Sequence, residues 1–402
     1  MFKKLLALVL AVFMLSTLCI SLTSCSETDD GFKLGVILLH DEASTYDKNF
    51  IEAVERAKTQ LGLTDEQVLY KRNIPESNAC YDAAIDLISR GCDIIFADSF
   101  GHESFLLEAA KEHPEVQFCH ATGTMAHTAG LDNFHNAFAS IYEGRFLAGI
   151  AAGMKLNQMI EEGKITAEQA KMGYVGAFTF AEVISGYTSF YLGAKYVCPS
   201  VTMDVQFTGS WYDETLEKNA AISLINSGCV LISQHADSMG APTACEDRDV
   251  PNVSYNGSTM AACGDTYIIS SKIDWTPYFV YICEQVQKGE AIATDWIGTI
   301  ATGSVALTEL NTAVAAPGTQ EKIDEVKAKL VSGELHVFDI STFTVGGAPL
   351  AEDHLADVDT DDKFTPDKDV VDGGYFHESE YRAAPYFDVQ IDGITLVNTN
   401  FG

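Results

Sequence analysis

The octapeptide FTGSWYDE (Phe207–Glu214) puts Trp211 and Tyr212, two large flat side chains, on a short polar turn. A strand-like run, VTMDVQF, leads into it and a helix-like run, LEKNAAISLINSG, follows. Both runs already carry Val, Phe, Leu and Ile for a core, so packing alone does not call for the two rings. Similar clusters close the other apolar runs. His40, Asp41, Glu42 and Tyr46 follow KLGVILL; Asp98, Ser99, Phe100 and Gly101 follow CDIIFA; His120 and Thr122 follow VQFC. Further on, Phe178 and Glu182 follow KMGYVGA, then His235, Asp237 and Ser238 follow CVLISQ, then Tyr255, Asn256 and Gly257 follow VPNVS. The set combines aromatic platforms with short acceptors and donors and little positive charge. Such groups suit a flat, neutral heterocycle with exocyclic hydrogen-bonding groups. Helix starts at these points could hold an anion, but the surrounding carboxylates argue against a phosphate. A nucleobase or nucleoside is favoured over a nucleotide, a sugar phosphate or an acidic amino acid.

Each residue also has a plainer role. Tyr46, Ser99, Asp213 and Asp237 stand where helix N-caps belong, and Phe100 and Phe178 could close the core. Glu182, one turn into a helix, complements the macrodipole whatever the function. Trp275, in KIDWTPYF, either lines a cleft or braces a crossover. No G-x-x-x-x-G-K-[ST], G-x-G-x-x-G or G-x-S-x-G motif is present. His102-Glu103 and His377-Glu378 lack the second His of a zinc helix, and Asp357-Asp359-Asp361-Asp362 lacks the Gly and closing Glu of a calcium loop. No metal and no cofactor is expected.

The elements that must position these groups alternate strand and helix from Lys33 onwards, which argues for parallel sheets covered on both faces. The pattern restarts at KMGYVGAF, and LISRGCDIIFADSFG matches LINSGCVLISQHADS unit by unit. Two tandem βα lobes with a cleft between them follow, with the ligand expected beyond the carboxyl ends of the strands. The expected division is 33–155 for the first lobe, with a return near 270–295, and 156–264 for the second, with a return near 300–338. Residues 339–402 form an acidic, aromatic extension.

The start, MFKKLLALVLAVFMLSTLCISLTSC, has a basic n-region, an apolar core and small residues before Cys25. This is a secretory signal, 1–24, of lipoprotein type, with cleavage before Cys25, lipid on its sulfur and 25–32 as a tether. The formal charge of −32 opposes nucleic-acid binding, which needs basic patches. Eight further cysteines show no C-x-x-C spacing and lie in or beside apolar runs, where a free thiol behaves as a small hydrophobe.

Several of these segments together resemble a known family. FADSFGHESFLLEAAKEHPEVQFCHATG, YEGRFLAGIAAG, GSWYDE, SQHADS and IDWTPYF are similar to the basic-membrane-protein (PnrA-like) family of ABC-transporter solute-binding lipoproteins, and to its purine-binding branch in particular. The resemblance runs from about Lys33 to Leu335. It implies a type I periplasmic-binding-protein fold, with two doubly wound α/β lobes that close on a purine base or nucleoside. It also implies an ABC permease and ATPase as partners, a lipid-anchored extracytoplasmic monomer and no catalysis. By position, Tyr46, Phe100, Glu182, Trp211 and Asp237 would line the pocket, and Ser238, Asn256 and Trp275 complete the set of candidates. Ser44 stands where the branch usually carries Trp. The alternatives are a cell-surface nucleoside hydrolase working through cleft carboxylates, and a sensor subunit for a membrane kinase.

Overall fold

The run Leu34–Ile37 forms β1 with all four residues buried, as a strand covered on both faces requires. A computed structural model describes residues 31–359, 367–399 and 401; Cys25, the expected signal segment and most of the acidic stretch after Asp359 lie outside them. In the first lobe β1 pairs in parallel with β2 (Val68–Lys71) and β3 (Ile94–Ala97), and β4 (Gln117–Ala121) and β5 (Phe134–Ala139) extend the sheet beyond β3. Helix α1 (Thr45–Leu61) starts at Ser44, whose hydroxyl accepts from Asp47 N, and stops at Gly62, which adopts φ 68°. Ser44 is thus a buried N-cap. Helices α2 (Asn78–Ser89), α3 (Glu103–Glu112) and the short α4 (Ala126–Ala129) complete this part.

The second lobe is built on β6 (Lys171–Gly176), β7 (Thr202–Phe207), β8 (Leu231–Gln234), β9 (Asn252–Tyr255) and β10 (Tyr267–Ile273), in the order β10-β9-β8-β6-β7. Its helices are α5 (Ile141–Glu161), α6 (Ala181–Val197), α7 (Glu214–Asn226) and α8 (Gly240–Glu246). The chain then re-enters the first lobe with α9 (Thr276–Lys288), packed on α1, and β11 (Asp295–Gly298), parallel to β5. It returns with β12 (Val305–Leu307), antiparallel to β10, and α10 (Thr319–Ser332), packed on α5. Three crossings, at Ser140, Asp274 and 299–304, therefore join the lobes.

Two placements differ from the sequence expectation. The division at 155 falls inside α5, which packs on α6 and β10 and so belongs with the second sheet. Its apolar, small-residue surface finds a matching helix there. The extension contains two short antiparallel pairs, β13 (Leu355–Ala356) with β14 (Lys368–Asp369) and β15 (Val371–Asp372) with β16 (Tyr375–Phe376). It then supplies β17 (Ile394–Leu396), which lies parallel to β7 as the edge of the second sheet.

All eight described cysteines are buried and unpaired, and burial pushes the Cys119 thiol up to about 12. Among the described residues no helix is long and apolar enough to cross a membrane.

The contact of α5 with α6 depends on glycine. A Cβ on Gly149 would run into the Phe190 carbonyl, and one on Gly193 into that of Phe146. In an open helix Gly→Ala gains up to ~1 kcal/mol. Here backbone atoms occupy the space, so Gly149→Ala should instead cost about 1–3 kcal/mol, read as a lower urea midpoint.

Candidate functional site

A small cavity lies where the carboxyl ends of the two sheets face each other. Tyr46, Phe100 and His40 reach it from the first lobe, and Trp211, Glu182 and Asp237 from the second. The lobes touch at its rim. Thr45 N and Oγ1 both donate to the Asp237 carbonyl, at 3.2 and 3.1 Å. His40 and Tyr212 meet ring to ring at 5.1 Å, and Phe100 and Phe180 at 5.0 Å. These contacts describe a closed form.

The turn after β7 thus places its two rings for different tasks. Trp211 faces the cavity, with Phe178 edge-on to it at 4.9 Å, while Tyr212 meets the opposite lobe. The turn is held in place by its backbone. Asp237 N donates to the Trp211 carbonyl at 3.0 Å. The Asp213 carboxylate caps α7 at Leu216 N, and Glu217 accepts from Asp213 N and from Ser238 N. One buried carboxyl, Glu217, therefore ties the Trp211 turn to the Asp237 loop.

The floor is a buried chain of polar groups. Arg145 of α5, 1% exposed, donates to the Gln234 carbonyl at 2.9 Å and lies over the Tyr255 ring at 3.3 Å. Its other terminal nitrogen is 3.1 Å from His235 Nδ1. A guanidinium offers only donors, so Nδ1 accepts and the ring proton sits on Nε2, 3.3 Å from the Glu182 carboxylate. Burial and the nearby Arg145 charge lower the His235 pKa against the pull of Glu182, which keeps the imidazole neutral.

Carboxyls crowd the walls. Asp237 is held well above the usual range by burial and by Glu217, Asp47 and Glu182. Asp98, beneath the cavity, is raised by burial and by the nearby Asp47. Burial acts to raise Asp47 too, but hydrogen bonds from His40 and Ser44 outweigh it and the net shift is downward. The hydroxyls at the wall are already engaged: Tyr46 with the Asp98 carbonyl, Ser99 with Glu76, Thr122 with the Ala121 carbonyl. No Lys or Arg lines the cavity, and among the described residues no cluster of His, Cys, Asp or Glu could hold a metal ion.

Tyr46, Phe100, Glu182, Trp211 and Asp237 are thus brought to one cavity, and three of the candidates from sequence are not. Trp275 is 1% exposed and stacks on Phe50 at 4.6 Å, bracing the re-entry into the first lobe. Ser238 turns towards α8, where its hydroxyl accepts from Gly240 N. Asn256, in the left-handed region at φ 62°, stands behind Asp237, its amide 3.4 Å from that carboxyl. Conversely His40, Ser99, Thr122, His235 and Tyr255, collected from sequence as strand-end residues but not carried into the pocket set, line the cavity together with Asp47. All but Asp47 stand at strand ends, which was the available signal. Arg145 lies behind the wall, and its one sign was a lone cation just ahead of the small, apolar run FLAGIAAG.

A protein-family model described as ABC transporter substrate-binding protein PnrA-like matches residues 35–340. A purine-binding protein of Brucella abortus is 30% identical over 275 residues, 68% of this chain and 73% of that protein. A putative ABC transporter glucose-binding protein of Haloferax volcanii is 32% identical over 254 residues, 62% of this chain and 60% of the relative. Among solved structures, a solute-binding protein of an ABC transporter system from Aeropyrum pernix aligns with a TM-score of 0.64 at 18% identity, covering 77% of this chain and 93% of that one. Another, from Conexibacter woesei, aligns at 0.61 and 21%, covering 76% and 98%. At these identities the structural likeness establishes the two-lobed α/β fold.

The strut between the two loops has a testable titration. Burial raises Glu217 from 4.5 to about 7, against hydrogen bonds from Ser238 and Asp213. A carboxyl that binds its proton more tightly when folded stabilises fully below the unfolded pKa and loses that contribution as pH rises through the folded one. Wild-type stability should therefore fall between pH 4.5 and 7. Glu217→Gln should remove on the order of 3 kcal/mol of that fall, measured as the difference in urea unfolding between the two proteins across the window.

Proposed function

The chain belongs to the PnrA-like family of ABC transporter substrate-binding proteins, and from that premise we propose that it captures a purine nucleobase or nucleoside by closing its two lobes on it. The carrying observation is a cavity between the lobes with aromatic rings from both and carboxyl acceptors but no cation. Trp211 from one lobe, with Phe100 and Tyr46 from the other, form the planes for a flat ring. Glu182 and Asp237 accept from ring or exocyclic N–H groups. In a desolvated site a ligand without those donors leaves the acceptors unpaired and is rejected. A phosphate would meet carboxylates and no counter-charge, which favours base or nucleoside over nucleotide. The purine-binding Brucella relative supports the same choice.

Substrate-binding proteins of this family work outside the cytoplasm and hand a small molecule to a permease powered by an ATPase. On our reading the anchor is lipid on Cys25, and the protein is a monomer that docks in its closed form. A ligand that contacts both lobes favours closure by its differential affinity for that state.

The test is calorimetric titration of purified protein, unfolded and refolded to strip carried-over ligand. The panel is adenine, guanine, hypoxanthine, their nucleosides, uridine and glucose. Micromolar or tighter binding of a purine, with the compound recovered unchanged, is the expected result. Binding of glucose alone would reject the purine reading, and release of free base from a nucleoside would point to a hydrolase. With the best ligand, Trp211→Ala should weaken binding by about 1–3 kcal/mol, as for bases stacked on aromatic residues. An unchanged Kd would remove Trp211 from the site.

A further inference from the structure

The family match ends at residue 340, yet the chain beyond it reaches the back of the cavity wall. After β17 pairs with β7, Val397 N donates to the Val205 carbonyl at 2.8 Å. Asn398 then closes a two-bond ring on Phe207: its Oδ1 accepts from Phe207 N at 2.7 Å, and its Nδ2 donates to the Phe207 carbonyl at 2.9 Å. Phe207 is the last residue of β7, four positions before Trp211. The Phe401 carbonyl accepts from Thr179 N at 2.6 Å and from Thr179 Oγ1 at 3.0 Å. Thr179 lies between Phe178 and Phe180, which are stacked at 5.3 Å and both contact Trp211. The Phe401 ring fills the space beside Gly209, whose φ of 74° turns the chain towards Trp211.

We propose that Asn398 and Phe401 are positioning residues for the aromatic wall, holding the 178–180 and 207–211 loops so that Trp211 presents one fixed plane to the cavity. The extension is then part of the recognition apparatus although it touches no ligand. Without it β7 would be the sheet edge, and both loops would lose their outer hydrogen-bond partners. The geometry explains why two loops from different βα units keep their rings in register. The proposal rests on the cavity being the ligand site, and its test keeps the two ideas apart.

The experiment uses the full chain with 5-fluorotryptophan at its three tryptophans, Trp211, Trp275 and Trp296, with the Trp211 fluorine signal assigned through Trp211→Phe. Asn398→Ala and Phe401→Ala should each shift or broaden the Trp211 signal and leave those of Trp275 and Trp296 in place. The same variants should weaken binding of the best purine about tenfold, the scale of one or two lost hydrogen bonds, and Asn398→Gln should restore part of the loss. An unmoved Trp211 signal in both variants overturns the proposal, as does a change in all three signals together, which would mean a general loss of structure. If wild type binds no purine, the ligand reading falls, and the fluorine comparison still decides the role of Asn398 and Phe401.

Discussion

One buried guanidinium organises the floor of the cavity. Arg145 is almost fully enclosed, and an ion in that position is tolerable only when its donors and its charge find partners. The Gln234 carbonyl, His235 Nδ1 and the face of Tyr255 supply them. Each partner belongs to a strand end of the second sheet, so the helix that follows the first crossing also ties the ends of β8 and β9 to the site. The choice of tautomer follows. Because Nδ1 must accept, His235 turns an N–H towards Glu182, and the orientation of an acceptor at the cavity wall is inherited from a cation that never reaches the surface.

Much of this was legible from sequence, for a physical reason. Parallel sheets place their functional loops at strand ends, and strand ends can be read from apolar runs that stop at polar clusters. Tyr46, Phe100, Glu182, Trp211 and Asp237 were collected that way among others, the family resemblance picked them out as the pocket set, and the structure brings them to one cavity. Trp275 shows where the method fails. Its neighbours IDWTPYF read equally as a cleft lip or a core brace, and only the stacking on Phe50 separates the two. Asn256 and Ser238 fail differently. Each follows a strand by a residue or more, but the local turn sends its side chain behind Asp237 or towards α8. Arg145 could not be assigned because its partners come from the ends of β8 and β9, about 90 to 110 residues further along the chain.

The extension was the least legible part. Its aromatic and acidic composition marks it only as an extension, yet beside two short antiparallel pairs it sends three residues, Ile394, Thr395 and Leu396, into the second sheet next to Met203, Asp204 and Val205. An exposed parallel edge is a template for unwanted pairing, and β17 covers it. A strand of three residues carries little periodicity, so a sequence pattern cannot announce such an addition. What fixes it is the complementarity of Asn398 with both backbone groups of Phe207, a tertiary fact.

The carboxyls and the rim contacts bear on closure in opposite directions. Closing brings Thr45 to the Asp237 carbonyl and joins two pairs of rings, contacts worth roughly 1 kcal/mol each. It also encloses Asp237, with Glu217 and Glu182 of its own lobe and Asp47 of the other nearby, and burial first and these carboxyls next hold its pKa well above the ordinary range. Without a donor in the cavity, closure must therefore either protonate Asp237 or hold like charges together out of water, and both oppose it. A ligand with N–H groups removes that cost at the point where it arises. On this reading the acidic wall does two jobs with the same atoms. It selects for donors, and it keeps the lobes from staying shut on nothing, so the closed form that a transporter would receive is the loaded one.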